Sequence, residues 1–143
     1  MSILGIDYGA KRIGLAKSDQ FKKLAVPLGT VFNNSKSEVL AKLKNICQQE
    51  NIDEIVVGVP VSLSTGNSGL LREIDFKNQQ VKEVLAFIDW LKTNFSLPIG
   101  MEDERLSTKM ANRLEKDLVK KNGGDDPIAA MLVLQSYLDR NNN

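Results

Sequence analysis

The apolar positions change period at recognisable points along the chain. Ile3, Leu4, Gly5 and Ile6 form a short run that stops at Asp7, with Gly9 close behind, which predicts a strand ending on an acid. Arg12 to Lys17 predicts a second strand, and Thr30 to Phe32, after Pro27, a third; three consecutive strands with short links imply an antiparallel meander. Ser35 with Glu38 three positions later is a capping-box signature, and Val39, Leu40, Leu43, Ile46 and Cys47 then recur at helical spacing, predicting a helix that ends near Asn51. Ile55 to Val59 is apolar on both faces, as in a central parallel strand covered by helices, and Pro60 stops it.

From Val61 to Asp75 the chain has no periodicity and reads as a long loop. A second helix is marked by Val81, Val84, Leu85, Ile88 and Leu91, and a short strand follows Pro98 over Ile99 to Glu102. A third helix carries Met110, Ala111, Leu114 and Leu118, opened by Ser107 or Thr108 and broken at Asn122 to Gly124. Asp126 before Pro127 is a strong helix start, with Ile128, Met131, Leu132 and Leu138 behind it. The terminal Asn141 to Asn143 is expected to fray. The order β-β-β-α-β-α-β-α-α implies a mixed five-stranded sheet, three antiparallel strands then parallel ones, with helices on both faces and working residues at the carboxyl ends of the parallel strands.

Length and composition narrow the chemistry. The chain has 143 residues, the size of one domain, and no apolar run long enough for a membrane span, so the expectation is a soluble cytoplasmic protein. Histidine is absent and Cys47 is the sole cysteine, which excludes Ser-His-Asp triads, disulfides and His- or multi-Cys metal sites. Carboxylates, Lys, Arg, hydroxyls and a hard metal ion remain. The net charge of +1 gives no bulk attraction to nucleic acid, so any such affinity needs a local patch. One candidate is the first 23 residues, where Lys11, Arg12, Lys17, Lys22 and Lys23 outnumber Asp7 and Asp19.

Three groups of acids draw attention. Asp7 sits at a strand end, where a carboxylate can hold a divalent cation, although a polar strand terminus and turn explain it as well. Glu102, Asp103 and Glu104 follow one another, and adjacent like charges repel unless a cation or an arginine sits among them. Strand alternation sends Glu102 and Glu104 to one side and Asp103 to the other; one set faces Asp7, and the acids also suit the N-terminus of a following helix. Asp125 and Asp126 precede the last helix, where Asp126 reads first as an N-cap, a role that leaves one carboxylate oxygen for a cation. Cys47 reads as a buried small hydrophobe, Trp90 as partly packed, and Tyr8 as either core or a base-stacking ring.

Four blocks in order, GIDYGAKRIGLAKSD (Gly5 to Asp19), DEIVVGVP (Asp53 to Pro60), DERLST (Asp103 to Thr108) and DPIAAMLVLQSYL (Asp126 to Leu138), resemble the YqgF (RuvX) family. These are Holliday junction resolvase-like proteins, also described as nucleases that mature the ends of precursor 16S ribosomal RNA. The resemblance covers nearly the whole chain and implies a single ribonuclease H-like domain. It also implies a carboxylate metal site at Asp7, Glu104 and Asp126, with Asp103 and Asp125 as alternates, and places Lys11, Arg12, Arg105 and Thr108 around substrate phosphates. Mg²⁺ or Mn²⁺, two ions roughly 3.5 to 4 Å apart, would serve metal-assisted phosphodiester hydrolysis.

The implied partners are precursor 16S rRNA, the ribosomal small-subunit precursor and branched DNA, with no membrane. The stretch from Val61 to Phe76 is longer than the family's usual loop, and the link Lys120 to Asp125 is shorter and less basic, which implies weaker nucleic-acid affinity or reliance on a partner. Two other classes compete. An actin-like phosphotransferase needs two lobes, which this length does not supply; a non-catalytic nucleic-acid or ribosome-associated factor would keep RNA affinity without acids or metal.

Overall fold

The computed structural model describes residues 1–60, 79–104 and 125–142, except for the side chains of 125 and 126. The described elements are β1 (Ser2–Asp7), β2 (Arg12–Ser18), β3 (Ala25–Phe32), α1 (Lys36–Gln49), β4 (Ile52–Val59), α2 (Gln79–Asn94), β5 (Ile99–Asp103) and α3 (Asp125–Asn141). The strands form one sheet in the order β3-β2-β1-β4-β5, with β1–β2 and β2–β3 antiparallel and β1–β4 and β4–β5 parallel. This is the mixed sheet expected from the pattern. The long loop from Val61, the helix around Met110 to Leu118 and the link to Asp125 lie outside the described residues.

Strand alternation divides the core between the two faces of the sheet. Leu4, Ile6, Ile55, Val57 and Val59 pack with Val39 and Leu43 of α1 and with Val81, Val84, Phe87, Ile88 and Leu91 of α2. The alternate residues Ile3 and Val56 face Ala130, Val133, Leu134 and Leu138 of α3. On that second face α3 lies so close that a Cβ on Gly5 would come 2.8 Å from Leu134 Cβ, and one on Gly58 2.9 Å from a Val133 methyl. Small residues in β1 and β4 thus set the depth at which the helix docks.

Ser35 caps α1 as expected, its Oγ accepting from Glu38 N at 3.3 Å. Three boundaries differ from the expectation. β3 begins at Ala25, ahead of Pro27, because an edge strand tolerates a residue with no N–H to donate. β4 begins at Ile52, three residues early, since Asp53 and Glu54 occupy strand positions despite their charge. At the C-terminus α3 includes Asn141, and Asn142 Nδ2 donates to Lys22 O at 2.8 Å and Leu138 O at 2.9 Å; Asn143 lies outside the described residues.

That last contact also fixes the direction of α3. Its C-terminal part is tied to the β2–β3 hairpin, where Ala25 N donates to Gln135 Oε1 and Gln135 Nε2 donates to Lys23 O. The hairpin lies where β1 begins, because Ile3 N donates to Ser18 Oγ. α3 therefore runs antiparallel to β1, and its first turn comes to the edge of the sheet where β1 and β4 end.

Candidate metal and nucleic-acid site

Asp7 closes β1 on the face shared with Ile3 and Gly5, which is the α3 face. The turn that follows is tight: a Cβ on Gly9 would lie 2.4 Å from Arg12 O, so any side chain there collides with backbone. Gly9 is thus explained by the turn alone. The turn carries Lys11 and Arg12, both exposed, and Asn33 clasps it by donating from N to Lys11 O at 2.9 Å and from Nδ2 to Gly9 O at 3.0 Å.

The basic stretch of the first 23 residues does not form one patch. Lys17 pairs with Glu50 at 2.6 Å and Lys22 with Asp53 at 2.9 Å, both near the opposite end of the sheet from Asp7. Partly exposed pairs of this kind contribute about 0–1 kcal/mol each. Asp19 follows β2 at the start of the hairpin turn, and the N–H groups of Leu24 and Lys23 hold its carboxyl below the ordinary range. Only Lys11 and Arg12 of that stretch lie beside the β1–β2 turn at the Asp7 edge.

The three consecutive acids separate into different environments. Glu102 is fully buried and pairs with Arg140 of α3 at 2.8 Å, so one of the three has its own arginine. Its Oε1 also accepts from Asp103 N at 3.2 Å, while Oε2 has no hydrogen-bond partner among the described residues. Asp103, 3% exposed, stands in register with Val59 and so belongs to the opposite face from Asp7. Glu104 follows directly at the carboxyl end of β5 and is half-buried. Parallel register sets Glu102 beside Gly58 on the α3 face, the one that Asp7 shares.

Asp125 and Asp126 open α3 at this edge, as backbone. The side chain of Asp126, like Arg105 and Thr108, lies outside the described residues. Among the described residues no three acids or cysteines converge closely enough to hold a metal by themselves. A complete ligand set around Asp7 and Glu104 thus needs a further donor. Asp7 and Glu104 offer anionic oxygens, a chemistry that would fit a hard divalent cation such as Mg²⁺ or Mn²⁺.

Sequence reasoning missed a polar contact on the α3 face near the start of β4, in register with Ile3 and away from Asp7. Tyr137 of α3 donates its hydroxyl to Glu54 Oε2, and its ring lies 3.7 Å from the position a Cβ on Gly100 would occupy. Burial, reinforced by the Glu54 hydrogen bond, pushes the Tyr137 phenol up to about 12. A phenol whose folded pKa exceeds its unfolded value of about 10 stabilises the fold fully below pH 10 and loses that contribution as pH rises toward 12. Alkaline unfolding curves of the protein and of Tyr137→Phe should therefore converge between pH 10 and 12. The signal available was the tyrosine at a helical position otherwise reserved for apolar residues, but its partner Glu54 is 83 residues away.

Glu102 and Arg140 yield a larger effect. Removing the arginine leaves a buried carboxylate without its cation, which costs about 3 kcal/mol. Urea unfolding of Arg140→Met should show this loss, and adding Glu102→Gln should recover most of it. Cys47 is half-buried, and burial raises its thiol to about 11, consistent with the small hydrophobe expected.

The chain and its fold have known counterparts. A family model described as "RuvX: Holliday junction resolvase" matches residues 1–140. Relatives named "Putative pre-16S rRNA nuclease" include one from Rickettsia typhi, 36% identical over 141 residues, covering 96% of this chain and 84% of the relative. Another, from Koribacter versatilis, is 37% identical over 142 residues, covering 96% and 86%. Among solved structures, RuvC of T. thermophilus in complex with Holliday junction substrate superposes with a TM-score of 0.57 at 14% identity, covering 100% of this chain and 96% of that one. The fowlpox virus resolvase bound to Holliday junction DNA gives 0.53 at 13% identity with both chains fully covered. At such identities the structural likeness establishes the ribonuclease H-like resolvase fold alone, whereas the family match and the relatives establish kinship: this chain belongs to the RuvX (YqgF) family of nucleases.

Proposed function

We propose that the whole chain acts as one nuclease domain that hydrolyses phosphodiester bonds with Mg²⁺ or Mn²⁺, in the maturation of the 5′ end of precursor 16S rRNA, and that branched DNA is a second substrate. The observation that carries this reading is the position of Asp7, a carboxylate fixed at the end of β1 on the α3 face, at the edge that the first turn of α3 reaches. Relatives that carry the rRNA nuclease name over nearly this whole length support the RNA substrate.

In this reading Asp7, Glu104 and Asp126 hold the cations, two in number, with Asp103 and Asp125 as the alternate ligands. When bound, the divalent ions supply Lewis-acid activation of a water and neutralise charge on the leaving oxygen. The protein's own groups position the substrate. Lys11 and Arg12, on the turn pinned by Asn33, meet the phosphate backbone. Arg105 offers paired hydrogen bonds to the phosphate, and Thr108 a hydroxyl. An aspartate is already ionised at neutral pH, so the absence of histidine leaves the site without a deficit of base.

A cation that binds the folded form alone raises the melting temperature by mass action. Titration with Mn²⁺ should thus raise the melting temperature of the protein, and Asp7→Asn should weaken the rise while keeping the fold. An identical response in the variant would remove Asp7 from the site.

A further inference from the structure

The sheet face opposite α3 carries a cavity that the carboxylate site does not use. It lies against α1 and α2, beside the end of β1, has a volume of about 180 Å³, and is lined by Tyr8, Asn33, Lys36, Val39, Phe87 and Trp90 among others. An enclosed apolar cavity of about 150 Å³ suffices for benzene, so this pocket, which opens to the surface, has room for a single planar ring system. Three of its lining residues are aromatic. The Tyr8 and Phe87 centroids are 4.4 Å apart with the planes tilted by 34°, and Phe87 stacks on Trp90 at 5.6 Å.

Phe87 is buried, whereas Tyr8 and Trp90 are half-buried, so the row is anchored in the core and reaches the surface at both ends. Rings held in this way form a stacking platform for a nucleobase. Lys36 and Glu83 place an exposed cation and an exposed acid among the lining residues, and Asn33 joins the wall to the turn that carries Lys11 and Arg12.

The position of Tyr8 decides the ligand. It follows Asp7 directly, and alternation turns the two residues to opposite faces of the sheet edge. A strand drawn across this edge with a phosphate on the Asp7 side has a base available to the Tyr8 side. We propose that the cavity of Tyr8, Phe87 and Trp90 takes an unstacked nucleobase next to the scissile phosphate, an inference that rests on the nuclease reading above. The pocket selects unpaired nucleotides, because bases inside a duplex have both faces occupied.

Trp90 is the only tryptophan in the chain, so its fluorescence reports on the pocket alone. The experiment adds a short oligoadenylate, the same strand paired in a duplex, or an abasic oligonucleotide of equal length, each with chelator, and follows Trp90 emission. Cleavage of the single strand is measured in parallel with Mn²⁺. The single strand should quench Trp90, while the duplex and the abasic strand leave it nearly unchanged. Tyr8→Ala should weaken single-strand affinity about 5- to 100-fold, the worth of one stacked base, and Tyr8→Phe should retain it. Melting temperatures show that both variants are folded.

Equal quenching by the abasic strand, no quenching, or unchanged affinity in Tyr8→Ala would overturn the base pocket. If cleavage persists in any of those cases, the nuclease reading survives without it. Base-dependent quenching without cleavage under Mn²⁺ would instead keep the pocket and remove the nuclease reading.

Discussion

Asp7→Asn is expected to fold normally and to lose about a thousandfold of its metal-dependent cleavage rate, equivalent to about 4 kcal/mol of transition-state stabilisation. The fold is spared because Asp7 is the last residue of β1 and is only half-buried, so an isosteric amide keeps the strand end. The rate is lost because an amide lacks the negative charge that a hard divalent ion favours in its ligands. Circular dichroism and single-turnover cleavage with Mn²⁺ measure the two halves of this expectation. A folded variant with full activity would leave Asp7 a mere strand terminus.

A comparable loss is expected at the start of α3. Asn caps a helix about as well as Asp, so Asp126→Asn should change stability little. If Asp126 is a ligand, the same substitution removes a charge from the site and reduces cleavage by about two to three orders of magnitude. Asp125→Asn is the neighbour control and should stay near full activity. Loss in Asp125→Asn alone would shift the ligand by one residue, and full activity in both would confine Asp126 to capping and leave the proposed site one acid short.

The architecture was legible because its signals are local. The apolar run of β1, the two-faced apolar β4 and the Ser35 capping box each declare themselves within a few residues. Boundaries failed where tertiary context overrode local chemistry. Pro27 fits in β3 because that strand is an edge, and Asn142 bonds across to Lys22 O of the β2–β3 hairpin. Neither fact is local to the residue concerned.

For the site, the acids could be named but not sorted. Glu102, Asp103 and Glu104 are consecutive in sequence, and what distinguishes Glu102 is Arg140, which arrives from the far end of another helix. The basic excess near the N-terminus misled for the same reason, since Glu50 and Asp53, which engage Lys17 and Lys22, enter from α1 and β4. The aromatic cavity escaped because Tyr8 and Phe87 are 79 positions apart, so nothing local to either residue announces the other.

The central claim is that acids gathered at the carboxyl edge of the sheet hold a divalent cation for phosphodiester hydrolysis. Its most direct test is incubation of the protein with precursor 16S rRNA and with a four-way DNA junction, each with Mn²⁺, Mg²⁺ or chelator, beside Asp7→Asn. The account predicts defined cleavage products with either metal and none with chelator or with the variant. Products that persist in chelator or in Asp7→Asn would contradict it, as would tight RNA binding with no cleavage under any metal.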